Sequence, residues 1–381
     1  MTELYLGSIL LRENYEVFVK MKIIQLINSL YRGGGAEKFL CELALAQSKI
    51  PNVEVKVVNL MKAQNPDFID VCKNAGIEVF NIDRSKYSFS TLRKLKKYVE
   101  QEKPDLVHVH LFPALYYAAF VKLCSTHSFK LVYTEHSTKN RRRGNKVFKV
   151  IDSFIYSRYD KVFAISKQVA DEVSKHVPNL NPIIINNGID LDNIAAISPF
   201  DIKKYLNLSN DAFVLTMVAR FYDIKDYSTI IKALKLLPDN VHFVCVGDGP
   251  TLEKNRVLAK DLQLSDRVHF LGLRKDVYAI LKGSDVVVLS THHEGFSISM
   301  LEAMGCGKPF IASAVPGIKD LVADTAVLFE YKNENHFSIV LKNILFDRSL
   351  YQKLADKSLS FVNKYDIKHI ADEYVKECNK Q

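Results

Sequence analysis

The chain has 381 residues, nearly half of them apolar and a quarter charged, with a formal net charge of +9. That length exceeds one ordinary core and suits two domains of about 150–200 residues. The composition is that of a folded protein, and no run approaches the roughly 20 apolar residues that would cross a bilayer as a helix.

The first 20 residues do not read as a secretory signal. Their apolar pieces, Leu4 to Leu11 and Tyr15 to Val19, are split by Arg12, Glu13 and Asn14, and no small-residue cleavage site follows. Met21 opens a clean strand pattern, so residues 1–20 are expected to be an extension outside the fold. From there β-rich runs at 22–28, 53–59, 78–81, 105–110, 130–134, 161–165 and 182–185 alternate with helical patterns at 36–48, 68–74, 89–100, 114–124, 146–157 and 167–175. Such alternation calls for a parallel sheet with helices on both faces. Asn-Gly, Ser-Pro and Ser-Asn-Asp turn signals break the rhythm, and the inter-domain linker is placed at 191–212. Strands are predicted again at 213–219, 241–246, 268–270, 286–289, 309–312 and 326–328, followed by helices only. The expected architecture is two Rossmann-like β/α/β domains facing across a cleft, at 21–190 and 213–362. A C-terminal helix at 363–381 packs back on the first.

Charge is unevenly divided. Residues 1–190 carry 28 Lys and Arg against 19 Asp and Glu, whereas residues 191–381 carry 24 of each. Two basic clusters, Arg84 to Lys97 and Arg141-Arg142-Arg143 with Lys146 and Lys149, point to an anionic surface or substrate. No nucleic-acid recognition motif accompanies them. The six cysteines are scattered without C-x-x-C or metal spacing, which reads as reduced, mostly buried thiols in a cytoplasm and argues against a zinc site.

The most informative string is Ser290-Thr-His-His-Glu294-Gly295-Phe296-Ser297, continuing through Glu302-Ala-Met-Gly305 to Pro309. It follows an apolar strand, turns through Glu-Gly and opens a helix near Ser297. Unpaired N–H groups at that helix start suit a phosphate. Glu302 is expected about two turns into the helix, so that it and Glu294 take hydroxyls at opposite ends of one ligand. Arg220 and Lys225 end the first strand of the second half. Two fixed cations there suit an anionic ligand. Gly247-Asp248-Gly249 follows the next strand, and Gly33-Gly34-Gly35 the first strand of the chain. The triple glycine is not a G-x-G-x-x-G dinucleotide fingerprint. His108 and His110 end one strand and His136 follows the next, at the edge where parallel sheets collect ligands. His108 is assigned to the opposite side of the sheet from His110. Asp105 and Glu135 are the carboxylates expected nearby.

The 290–309 string resembles the E-x7-E signature segment of the retaining GT-B glycosyltransferases grouped as family four, in which S-x-x-E-G-F/Y-G … E-A-M-A-x-G-x-P is typical. The resemblance runs from Met21 to Cys378. It implies that Glu294 contacts the donor sugar, that Glu302 holds the ribose hydroxyls, and that the amides of Gly295, Phe296 and Ser297 hold a diphosphate. Arg220 and Lys225 match the family's diphosphate-gripping pair, with Ala219 and Asp226 in place of the usual glycines. Val246-Gly247-Asp248-Gly249-Pro250 matches V-G-x-G-P, and Phe270 and Gly272 match a segment flanking the base. Gly34 and Gly35 correspond to a loop near donor and acceptor, and His136 to a cleft histidine near the transferred sugar. His110 and Asn187 are assigned to the acceptor side or cleft.

The implied activity is hexosyl or N-acetylhexosaminyl transfer, with retention, from a nucleotide diphosphate sugar. UDP is the implied nucleotide. The implied acceptor is a glycan or polyprenyl-linked glycan in cell-surface polysaccharide assembly, at the inner face of the membrane. No metal is expected: Asp190-x-Asp192, a D-x-D pattern, is read as a linker turn. The alternatives are a GT-B nucleotide-sugar epimerase, which would act without acceptor, and a basic nucleic-acid-binding protein, which leaves Glu294, Glu302, Arg220 and Lys225 without a purpose.

Overall fold

The computed structural model describes residues 20–31, 34–61, 67–82, 88–138, 140–322 and 324–380. Residues 1–19 of the expected extension, Gly33, and Arg84 and Lys86 of the first basic cluster lie outside the described residues. The first half runs β1 (Met21–Ile27), α1 (Gly35–Gln47), β2 (Val53–Asn59), α2 (Asp67–Asn74), β3 (Glu78–Asn81), α3 (Phe89–Glu102) and β4 (Leu106–His110). It continues with α4 (Ala114–Cys124), β5 (Lys130–Glu135), α5 (Lys146–Tyr156), β6 (Lys161–Ala164), α6 (Lys167–His176) and β7 (Ile183–Ile184). After α7 (Leu191–Ala196) and α8 (Ile202–Tyr205) come β8 (Phe213–Val218), α9 (Tyr227–Ala233), β9 (Val241–Val246), α10 (Leu252–Asp261), β10 (Val268–Gly272) and α11 (Val277–Gly283). The chain ends with β11 (Val286–Leu289), α12 (Ile298–Gly305), β12 (Phe310–Ser313), α13 (Lys319–Val322), β13 (Val327–Phe329), α14 (Glu334–Phe346), α15 (Arg348–Val362) and α16 (Ile367–Asn379).

The strands form two parallel sheets, ordered β3-β2-β1-β4-β5-β6-β7 and β10-β9-β8-β11-β12-β13. Both therefore reverse direction of strand addition beside their first strand, between β1 and β4 and between β8 and β11. A crevice opens beyond the strand ends at such a switch point. Central strands such as β11, Val-Val-Val-Leu, are buried on both faces because helices cover both.

The segment 191–212 is more ordered than the linker expected from its turn signals. Asp190 and Asp201 cap two short helices by accepting from Asn193 N and Lys204 N, and Ile194 and Ile202 are buried. Local capping together with buried isoleucines makes it part of the packed structure. The chain passes between the sheets a second time beside the first crossing. Ile189 N donates to Tyr365 O at 3.0 Å, and Ile367 N donates to Ile189 O at 2.9 Å. Helix α16 lies against α1 and the first sheet, where Tyr374 is buried with ring centroids 5.0 Å from both His108 and Phe163. Lys130 and Lys161 donate to carbonyls in its last turn, the end where cations oppose the helix dipole.

Candidate active site

On the second-domain wall, two loops are stitched together. Asp226 N donates to Ser290 O at 3.0 Å and His292 N to Ile224 O at 2.8 Å, which aligns the loop after β8 with the loop after β11. Lys225 and Glu294, 69 positions apart, are thereby brought into a direct ion pair. Arg220 lies with its guanidinium 5.0 Å from the Tyr222 ring centroid, within cation–π reach. Asp226 stands where the family has glycine. It turns inward, accepting from Thr229 N and Thr229 Oγ1, and so starts α9.

Ser297 caps α12, its Oγ accepting from Met300 N. The helix begins at Ile298, so Glu302 is its fifth residue, little more than one turn in rather than two. Glu302 is buried, and its partner comes from the other domain: Lys38 of α1 pairs with it across the cleft and donates to Tyr278 Oη at 2.8 Å. Tyr278 Oη in turn donates to Glu42 at 3.2 Å, and burial raises the Glu42 carboxyl above its ordinary range.

Behind His136 the first-domain wall is built from neutral groups. Gln25 Nε2 donates to Gln47 Oε1 at 2.7 Å and lies 3.3 Å from His108 Nδ1. Gln25 Oε1 lies 2.9 Å from His110 Nε2, and His110 Nδ1 lies 2.9 Å from His136 Nε2. With the Gln25 amide so oriented, an oxygen facing His110 Nε2 requires the proton on that nitrogen. Nδ1 of His110 then accepts, and His136 donates through Nε2. The same logic puts a proton on His108 Nε2, 2.7 Å from Thr134 Oγ1. His136 is left with an unprotonated Nδ1. Burial lowers the pKa of His108 and of His136 to about 3 and that of His110 well below its ordinary value, so all three are neutral near pH 7.

His108 and His110 share one face of β4, with ring centroids 4.3 Å apart, which corrects the expectation of opposite sides. Residues two apart on a strand point the same way. His110 is fully buried behind His136. Asp105 lies at the far, N-terminal end of β4, where it accepts from Lys22 N at 2.7 Å, and so is not near the histidines' end. Glu135 accepts from the amides of His136 and Ser137, both at 3.1 Å, and pairs with Arg143, which holds the turn that carries His136.

Between the walls lie two adjoining chambers. One, of ≈ 420 Å³, is lined by Gly34, Gly35, His136, Asn187, Arg220, Lys225, Glu294, Gly295, Phe296 and Ser297. The other, of ≈ 350 Å³, shares Gly34, Gly35 and Arg220 and extends to Glu302, Tyr278, Gly247, Leu273 and Arg274. A Cβ at Gly34 would meet the Glu37 carboxylate at 1.8 Å, so glycine alone lets that side chain fold back over the start of α1. Asn187 Nδ2 donates to Phe296 O at 3.1 Å, tying the first domain's last loop to the approach to α12.

Three expected donor residues stand outside both chambers. Gly249, at φ +151°, abuts the Phe221 carbonyl, which a Cβ would meet at 2.4 Å, and Phe270 packs 6.0 Å from the Phe221 ring. Gly272 accepts from Gly247 N at 2.9 Å. Their neighbours Gly247, Leu273 and Arg274 line the cavity instead. Lys38 and Tyr278 gave no sequence signal as site residues. The only available hint was Lys38's position at the start of a helix that follows a glycine loop. Of the D-x-D pair, Asp190 caps α7 and Asp192 pairs with Lys368. Five of the six cysteines are buried; Cys124 is exposed.

Comparison with known proteins fits this geometry. The profile of glycosyl transferases group 1 matches residues 200–360, and that of glycosyltransferase family 4 matches residues 33–193. An Escherichia coli UDP-Gal:α-D-GlcNAc-diphosphoundecaprenol α-1,3-galactosyltransferase is 30% identical over 351 residues, covering 83% of this chain and 87% of the relative. The chain belongs to the group 1, family-four glycosyltransferases. A Bacillus anthracis N-acetyl-α-D-glucosaminyl L-malate synthase is 27% identical over 71% of this chain and 73% of its own length. In fold, this family-four enzyme is similar to Anabaena HepE crystallised with UDP and glucose, with a TM-score of 0.79 at 22% identity over 94% and 99% of the two chains. Its two facing Rossmann-like domains are the GT-B architecture.

Proposed function

We propose that this glycosyltransferase transfers a hexosyl or N-acetylhexosaminyl group, with retention, from a UDP-sugar to a lipid-linked glycan in cell-surface polysaccharide assembly. The observation that carries the reading is the convergence of Arg220, Lys225, Glu294 and the start of α12 on one chamber that continues to Glu302. The diphosphate lies against Arg220, Lys225 and the amides of residues 295–297, and the ribose hydroxyls displace Lys38 from Glu302. Glu294, neutralised by Lys225, accepts from a sugar hydroxyl. The unprotonated His136 Nδ1 accepts from another hydroxyl of the same sugar, and Asn187 and the first-domain wall face the acceptor.

Reaction on one face of the sugar accounts for retention without a carboxylate nucleophile. The bond from C1 to the diphosphate oxygen breaks as the bond from C1 to the acceptor oxygen forms. The acceptor proton passes to the departing diphosphate. Catalysis then rests on stabilising the leaving group and on positioning, both without a metal. The Escherichia coli relative named for a diphosphoundecaprenol acceptor supports the lipid-linked choice.

A thermal-shift panel of UDP, GDP, ADP and UDP-sugars, with and without EDTA, tests the donor site on wild type and Glu302→Ala. Ligand bound only by the folded state raises the midpoint. A shift selective for UDP, indifferent to EDTA and diminished in the variant is expected. No shift with any nucleotide overturns the donor assignment. A shift that needs a divalent ion overturns metal independence.

A further inference from the structure

Helix α5 carries apolar residues on two faces. Its buried side holds Ile155, Tyr156 and Asp152, and Asp152 accepts from Arg142 Nη1 at 2.9 Å and contacts His176 Nε2 at 2.8 Å. Its outward side carries Val147, Val150, Ile151 and Phe154, exposed by 66%, 72%, 40% and 47%. These sit at i, i+3, i+4 and i+7, a single apolar stripe of the kind that ordinarily faces a core, here turned to solvent. Helix α4, packed against α5, adds exposed Phe120 and Leu123.

Charge defines what such a stripe fits. Lys146 and Lys149 flank it on the same helix, and Arg141 precedes it. None of the three pairs with a carboxylate among the described residues. Arg158 lies 4.5 Å from the Phe154 ring centroid, its head at the edge of the apolar surface. A cavity of ≈ 330 Å³ at the helix start is lined by Arg143, Lys146, Lys149 and Lys175 against one carboxylate, Glu172. An apolar stripe bordered by lysine and arginine is the pattern of a helix lying in the headgroup region of an anionic bilayer. Its place is apt as well. The helix begins ten residues after His136, and Arg143 Nη1 donates to Ser137 O at 2.6 Å, tying its leading loop to the cleft wall.

We propose that α5 is the membrane-docking element of this enzyme, its Val147–Phe154 stripe entering an anionic lipid surface while Arg141, Lys146 and Lys149 engage headgroup phosphates. This rests on the transferase reading only for the choice of a lipid-linked acceptor. Docking brings the cleft rim beside His136 to the bilayer surface, where such an acceptor is presented.

Sedimentation of the full chain with phosphatidylcholine vesicles, with and without phosphatidylglycerol, tests it. Wild type is expected to bind the anionic vesicles at low salt and to leave them as salt rises. Val150→Asp with Phe154→Asp should weaken binding by about tenfold or more. Lys146→Ala and Lys149→Ala should each weaken it about fivefold. Both sets should keep the wild-type thermal shift with nucleotide, which establishes that they fold. Wild type that ignores anionic vesicles overturns the proposal, as does a Val150→Asp, Phe154→Asp protein that binds as wild type does. A concentration-dependent dimer abolished by the same two substitutions, without vesicle binding, overturns it in favour of a second copy on this face. Loss of every nucleotide shift with vesicle binding intact removes the transferase reading and leaves the docking surface standing.

Discussion

The second-domain wall of the cleft meets its ligand space with full charges held in pairs, Lys225 with Glu294 and, from across the cleft, Lys38 with Glu302. The first-domain wall presents His136 at the end of a chain of uncharged groups running back through His110 to Gln25 and Gln47. The contrast follows from burial. Lys225 and Glu294 lie on loops beyond the strand ends and neutralise each other there. His108 and His110 lie within a strand covered on both faces, where a charge without a partner would be costly and the neutral form prevails. A wall of paired ions can hand its charges to a diphosphate and hydroxyls. The neutral, mutually oriented groups behind His136 can only direct hydrogen bonds, and they do so with the proton positions already set.

That contrast is open to direct test. The largest effect is expected for Lys225→Ala. It removes the cation proposed to face the leaving group, and turnover should fall by about 10²–10³-fold with the nucleotide thermal shift retained. An unchanged rate in a nucleotide-release assay would end its assignment. Glu302→Ala should weaken nucleotide binding by roughly 10- to 100-fold, the range of a hydrogen bond to a charged group, read by calorimetric titration. The histidine wall should register instead in stability. Burial holds His108 and His136 near 3 against an ordinary 6.5, so between those values the unfolded chain binds the protons and the folded one does not. Stability is then full above about pH 6.5 and is lost as pH falls toward 3, by about 1.4 kcal/mol per pH unit for each histidine. Urea titrations at pH 7.5, 6 and 5 check the slope, and a midpoint indifferent to pH would mean that these imidazoles are charged or exposed. The smallest effect is expected for Lys38→Met. Freeing Glu302 from a partly exposed ion pair worth about 1 kcal/mol should tighten nucleotide binding about fivefold. Weaker binding would instead make Lys38 a ligand contact.

Legibility followed the range over which each feature is determined. The alternation of strand and helix was readable to within a residue or two, as at Phe213 and Val241, because apolar runs and turn residues act locally. The loops carrying Arg220, Lys225 and Glu294 were readable for the same reason. In contrast, Phe270 and Gly272 were assigned to the ligand, and the chamber is lined by Leu273 and Arg274, since the direction of a side chain at a strand end depends on the neighbour it packs against. Arg142 looked like one of several surface cations and is buried against Asp152, a carboxylate ten residues away.

Residue order alone thus specifies two parallel α/β domains, the glycine and proline turns between their elements, and the loops that carry Arg220, Lys225 and Glu294. Each of these depends on backbone preferences and hydrophobic period over a few residues. Tertiary structure decided the partners. Lys38 meets Glu302 from 264 positions away, three histidines join two glutamines in one proton-ordered chain, and α5 is left with one apolar stripe facing water. Those outcomes depend on how one sheet docks on another and which helix face remains uncovered, and no short window of residues carries that information.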